Sequence, residues 1–147
     1  MSGRITLPVR MELLSDAIFG AGYSVPGGED IAVCRDDEDY PYLKGSTLKG
    51  LLRESLENWI AWTGGAEETA DKLLGAPGWD GLADRSRLHL SKLRLCASPP
   101  AAVEECYEIR AFTALNEGGT AESGTLRMAS CIRRGLIFAG ELDCARE

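Results

Sequence analysis

The chain has 147 residues, 44% hydrophobic and 27% charged, which fits one globular domain able to bury a core of its own. Its net charge is −7, from 23 acidic and 16 basic residues; this argues against a protein that coats nucleic acid through bulk charge, but leaves room for a local basic track. No apolar stretch is long enough to span a membrane, and the first residues, "MSGRITLPVRMELL", alternate instead of forming the apolar run of a signal peptide.

Residues 5–13 alternate with period two: Ile5, Leu7, Val9, Met11 and Leu13 share one parity, which predicts a half-buried strand. Pro8 has no N–H for a ladder, so one side of this strand should be an edge or a bulge. Residues 20–45 carry five glycines and two prolines and read as a long loop, interrupted by the apolar piece "IAVC" and the acidic run "RDDEDY". Loops of that length inside a small domain are usually functional. A helix is predicted from Ser46 or Thr47, both good N-caps, to "TGG" at 63–65. Leu48, Leu51, Leu52, Leu56, Trp59 and Ile60 recur at three- and four-residue steps, with Trp59 expected in the core. "AEETADKLLG" is a second, short helical piece.

"RSRLHLSKLRL", residues 85–95, predicts a strand with a phase slip: Leu88 and Leu90 have one parity, Leu93 and Leu95 the other. A bulge near Ser91–Lys92 would reconcile them. Residues 107–128 read as a hairpin around "NEGGTAESG". "SCIRRGLIFAGELD" predicts a last strand, with Ile132, Leu136, Phe138, Gly140 and Leu142 on one face. The order is strand, long loop, helix, strand, hairpin, strand. It predicts a single α+β domain over residues 1–147, resembling the first two-thirds of a ferredoxin-like (RRM-like) β-α-β-β-α-β unit.

Chemistry is scarce in type but suggestive in place. The five cysteines (Cys34, Cys96, Cys106, Cys131, Cys144) include no C-x-x-C pair, and His89 is the only histidine. A zinc site or disulfide framework is not expected, and reduced thiols in a cytoplasm are. The stretch "PYLKGSTLKGLLRESLENW" places Lys44, Gly45, Ser46, Thr47, Lys49 and Arg53 at a helix start. The first N–H groups of a helix lack partners within it, and its dipole favours an anion there. The stretch is not a P-loop, because the lysine stands on the wrong side of the glycine. On physics alone a plain capped helix with solvated lysines is the slightly better reading. Arg85, Arg87, Lys92 and Arg94 lie on the 85–95 strand, and Arg127, Arg133 and Arg134 flank the last one. If these strands are neighbours, residues of like parity form a cationic face. The run "DDED" reads as a solvated loop in which Asp36 pairs with Arg35 or a later lysine.

"PYL" followed by "GSTLKGLLR" resembles the signature of the RAMP superfamily of CRISPR-associated proteins. "AIFGAGYS", "EDIAVCRD", "KLLGAPGWDGLADRSRLHLS" and "TALNEGGTAESGTLRMASCIRRGLIFAGEL" resemble further segments of that family, in the expected order and over nearly the whole chain. The hairpin departs from the pattern, with Asn116–Glu117 and Ala129 where acids are common.

The resemblance implies a backbone-type subunit lining guide RNA in a type III effector complex, with the hairpin as a thumb-like wedge in the guide–target duplex. The implied RNA-binding residues are Lys44, Gly45, Ser46, Thr47, Lys49, Arg53, Arg87, Arg127 and Arg133. The implied partners are guide RNA, target RNA and other effector subunits. The family's catalytic aspartate, which supports target-RNA cleavage with a divalent metal, matches Asp30 here. One carboxylate holds magnesium weakly, so the ion would be shared between Asp30 and an RNA phosphate. Two other readings share these residues: a non-catalytic assembly subunit on the same fold, and a metal-free ribonuclease acting through His89. Family members continue with a helix and a strand that pairs with the first one. The expectation is therefore that the strand over 5–13 has an open edge, covered by a second chain or another copy.

Overall fold

The computed structural model describes residues 3–21, 33–75, 87–96 and 99–145. Its elements are β1 (Arg4–Glu12), β2 (Tyr42–Leu43), α1 (Gly45–Thr63), α2 (Glu68–Leu74), β3 (Leu88–Leu90), β4 (Leu93–Leu95), a 3-10 turn (Val103–Cys106), β5 (Tyr107–Phe112), β6 (Arg127–Ile132) and β7 (Ile137–Ala145). One sheet has the order β1-β7-β4-β2, with β3 also pairing β7, and β5 and β6 form a separate two-stranded sheet. The last strand thus lies between the first strand and the one that follows the helices, the order of a ferredoxin-like β-α-β-β unit. The fold is α+β, as the sequence predicts. None of the described helices is long and apolar enough to cross a membrane.

Strand β1 pairs only with β7 among the described residues, which accommodates Pro8 on its open side. The predicted slip between Leu90 and Leu93 is real. Ala145 N–H donates to the Arg87 carbonyl (3.0 Å) and Ser91 N–H to the Glu141 carbonyl (2.9 Å), while Cys96 N–H reaches the Ile137 carbonyl (2.9 Å), one residue out of that register. One extra residue therefore sits at Ser91–Lys92, dividing the strand into β3 and β4. The Ser91 hydroxyl fills the gap by accepting from the Glu141 N–H (2.8 Å). Opposite it, a Cβ on Gly140 would lie 2.8 Å from that hydroxyl and 3.0 Å from the Lys92 carbonyl oxygen, so the bulge favours a residue without a side chain there.

The chain divides into two compact units, Met1–Arg10, Leu43–Leu93 and Ala139–Glu147, and Met11–Tyr42 and Arg94–Phe138. In the first, α1 and α2 pack on β3, and Leu43, Ile60, Ala70, Leu74 and Leu93 are buried. Helix α1 ends at Gly64 in the left-handed region (φ +69°), and α2 at Gly75 (φ +77°). The N-cap of α1 is Lys44, not Ser46 or Thr47, and no side chain caps the helix. Trp59, expected in the core, is exposed, together with Leu51, Leu52 and Trp62. At about 100° per residue, the apolar residues from Leu51 round to Ile60 span about 180° of the helix. The side at Gly45 and Ile60 is buried and the rest is not.

In the second unit the core is Phe19, Val33, Cys34, Cys106, Tyr107, Ala129, Cys131, Ile132 and Phe138. Phe19 and Phe138 meet edge to face, centroids 5.5 Å apart. The hairpin pairs Tyr107 with Ile132 through Phe112 with Arg127. It therefore reaches Ile132, and the final strand begins later than predicted, at Ile137. Gly135, at φ +87°, makes the turn between them, and its N–H donates to the Leu13 carbonyl (2.7 Å). All five cysteines are free thiols.

Candidate nucleic-acid interface

The start of α1 is built for close packing first. The Lys44 backbone is extended, and its carbonyl accepts the Thr47 and Leu48 N–H groups at 3.1 and 3.2 Å. Gly45 has ordinary helical geometry, so it is not there to turn the chain. A Cβ at Gly45 would instead collide with the Leu90 carbonyl, 2.8 Å from its carbon, and lie 2.9 Å from the Ser91 oxygen. The glycine lets the first turn of α1 touch the backbone at the end of β3. Gly50 has no such neighbour: a Cβ there meets nothing within 4 Å. With no acid in its first turn and no capping side chain, this helix end offers positive partial charge. Ser46 and Thr47 are exposed there, and Lys44 and Lys49 are half-buried.

Arg53 does structural work. Its guanidinium is tied to Asp71 (2.8 Å), to Glu57 (3.3 Å) and to the Gly75 carbonyl, so it joins α1 to both α2 and the residue that caps α2. Read from the sequence as RNA-binding, it is engaged with two helices of the fold. Arg87 is exposed at the foot of β3; its backbone N–H donates to the Leu73 carbonyl (3.1 Å).

Arg127 and Arg133 belong to the second unit. Arg127 is exposed at the open end of β6, opposite Phe112. Arg133 is held by a hydrogen bond from Nε to the Tyr107 carbonyl (2.9 Å). Beside it lies a cleft of about 580 Å³ lined by Asp16, Glu108, Arg110, Arg133 and Arg134, with Leu14 and Ser15. Asp16 organises this cleft. It accepts the Arg134 backbone N–H (2.8 Å) and the Arg110 guanidinium, which also reaches Glu108 at 3.4 Å. That N–H, above all, holds the Asp16 carboxyl below its ordinary range; partial desolvation opposes it, and the nearby arginine charges assist. Nothing in the sequence joins Asp16 to Arg110, because they meet only through the fold.

The acidic run is a built turn. Asp36 accepts the Glu38 and Tyr40 N–H groups at 2.9 and 3.0 Å, and Asp39 takes a left-handed backbone (φ +65°). Asp36 therefore caps this turn; the expected pairing with Arg35 gives way to a different contact. The Arg35 guanidinium stacks on the Tyr107 ring, 4.1 Å from its centroid, and reaches the buried Ser130 hydroxyl at 3.4 Å. Burial pushes the Tyr107 phenol far up despite Arg35, and the phenol donates to the Asp39 carbonyl (2.7 Å). Ala129, at a position where the family pattern has acids, is fully buried, and a carboxylate would be costly there. Asn116 ties the hairpin tip by accepting the Gly118 and Thr120 N–H groups, both at 3.0 Å.

The predicted residues thus form two groups. Lys44, Gly45, Ser46, Thr47, Lys49, Arg53 and Arg87 lie in the first unit, and Arg127 and Arg133 in the second. Asp30 and Arg85 lie outside the described residues. Among the described residues no three His, Cys, Asp or Glu side chains are placed to hold a metal.

The fold is similar to that of solved chains. One belongs to a type III-B Cmr-beta complex bound to cognate target RNA (TM-score 0.68, 15% identity); the match covers 98% of this chain and 48% of that one. Another belongs to the apo state of type III-B Cmr-beta (TM-score 0.70, 12% identity), with coverage of 97% and 85%. The chain therefore spans about half the length of the first of these. No curated protein sequence matches it. The family model of the RAMP superfamily matches residues 10–144, nearly the whole chain, and the chain belongs to that superfamily.

Proposed function

We propose that this chain is an RNA-lining subunit of a type III CRISPR effector complex, working in the cytoplasm with guide RNA, target RNA and other effector subunits. The observation that carries the reading is the RAMP match over residues 10–144, joined to a fold shared with chains of type III-B Cmr complexes, one of them solved with target RNA. The interface supports it locally. The uncapped, acid-free start of α1, with Ser46, Thr47, Lys44 and Lys49, suits a sugar-phosphate chain. Arg127 and Arg133 offer guanidinium groups at the hairpin strand and its end. The side of β1 that has no partner among the described residues would suit a second chain that completes the sheet. Asp30, with magnesium shared with an RNA phosphate, is proposed to support target cleavage.

Two variants of the assembled, guide-loaded complex test this. Lys44→Glu with Lys49→Glu should weaken RNA retention, and should flatten its salt dependence by an amount on the order of two phosphate contacts. Unchanged retention at moderate salt would sink the RNA assignment. Asp30→Ala should abolish target cleavage while the complex still assembles; continued cleavage removes Asp30 from the chemistry and leaves an assembly role.

A further inference from the structure

The outward side of α1 is apolar and uncovered. Trp62 is 92% exposed, Trp59 61%, Leu51 54% and Leu52 43%. At about 100° per residue these four fall within an arc of about 100°, with Ser55 inside it. They present roughly 500 Å² of apolar surface, near the upper end for the largest patch on a monomeric protein. None of the four belongs to the nucleic-acid interface described above.

We propose that this stripe docks a second copy of the same chain, α1 against α1, antiparallel about a two-fold axis beside Ser55. The stripe is polarised: its leucines are at the N-terminal end and its tryptophans at the C-terminal end, either side of one small residue. An antiparallel two-fold lays each tryptophan pair on the other copy's leucines and brings the backbones close at Ser55. The contact is then isologous, large side chains against smaller ones, with the two helix dipoles opposed. Two such stripes bury about 1,000 Å² of apolar surface before any rim is counted, enough for a specific association. Aromatic anchors at the centre of the contact would carry most of its energy. A lipid surface fits less well, because Asn58 and Glu54 flank the Leu51 edge of the stripe and the chain carries net charge −7, whereas interfacial helices favour Lys and Arg flanks.

The test uses the RNA-free full chain, so its failure would leave the RNA reading standing. Sedimentation at about 100 µM, a concentration suited to micromolar association, should give a dimer mass for the wild type. The mass should halve in Trp59→Glu/Trp62→Glu, with an unchanged circular-dichroism spectrum, since both side chains lie mostly outside the core. Ser55→Cys should form a disulfide-linked dimer under mild oxidation, beyond any that the native cysteines give in the wild type. A monomeric wild type, a dimer that survives the double variant, or a stripe that binds only anionic vesicles or a different protein overturns the proposal.

Discussion

Gly45 shows how a glycine that looks like part of a binding loop can be a packing requirement. Its hydrogen faces the Leu90 carbonyl, where a methyl group would overlap backbone that cannot swing aside. Gly45→Ala should cost about 1–3 kcal/mol, read as a lower thermal or urea midpoint. Gly50→Ala, five residues along the same helix and facing open space, should instead stabilise by a few tenths to about 1 kcal/mol. The sequence marks both positions equally, because what distinguishes them is a strand some forty residues away. Asp16 is equally hidden in the sequence, and it makes a prediction in pH. Its folded pKa is depressed, chiefly by the Arg134 N–H. Its contribution is therefore complete above the unfolded carboxylate value of about 4 and is lost as pH falls through the lower folded value. Asp16→Asn should lower stability at neutral pH and flatten its decline in acid, measured as urea midpoints from pH 7 downwards.

Among the elements, α1 and α2 are bound together by one guanidinium. Arg53 is only 15% exposed, whereas Asp71 and Glu57 are about half exposed, so solvent screens its ion pairs. Its bond to the Gly75 carbonyl is the better sheltered one. Arg53→Ala should cost about 1–2 kcal/mol, and Arg53→Lys should recover little, because an ammonium cannot fork to two elements. Urea unfolding of the two variants checks this, and any RNA effect at Arg53 has to be judged against that loss. The elements themselves were legible in the sequence where periodicity is strong: the alternation of β1, the slip at Ser91–Lys92, the glycine stops of both helices. They were less legible where two signals overlap. The apolar arc of α1 is wider than the sheet can cover, so period alone could not say that Trp59 faces out. Likewise, Ile132 and Phe138 share parity across a turn that only the positive φ of Gly135 reveals.

At the scale of the molecule, the sheet order follows from the sequence because each apolar run has few places to go. The ordered motifs pointed to the superfamily that the family model matches. Side-chain alliances were beyond reach: Arg35 with Tyr107, Asp16 with Arg110 and Arg53 with Asp71 are all long-range in sequence. The bulge between β3 and β4 has one more consequence. Deleting Ser91 or Lys92 would give Leu93 and Leu95 the parity of Leu88 and Leu90, so the strand could run along β7 in one unbroken register with all four leucines, the wholly enclosed Leu93 among them, still on one face. The segment acts as a vernier: one surplus unit keeps two scales aligned across an offset, and removing it closes the offset without turning any mark to the other side.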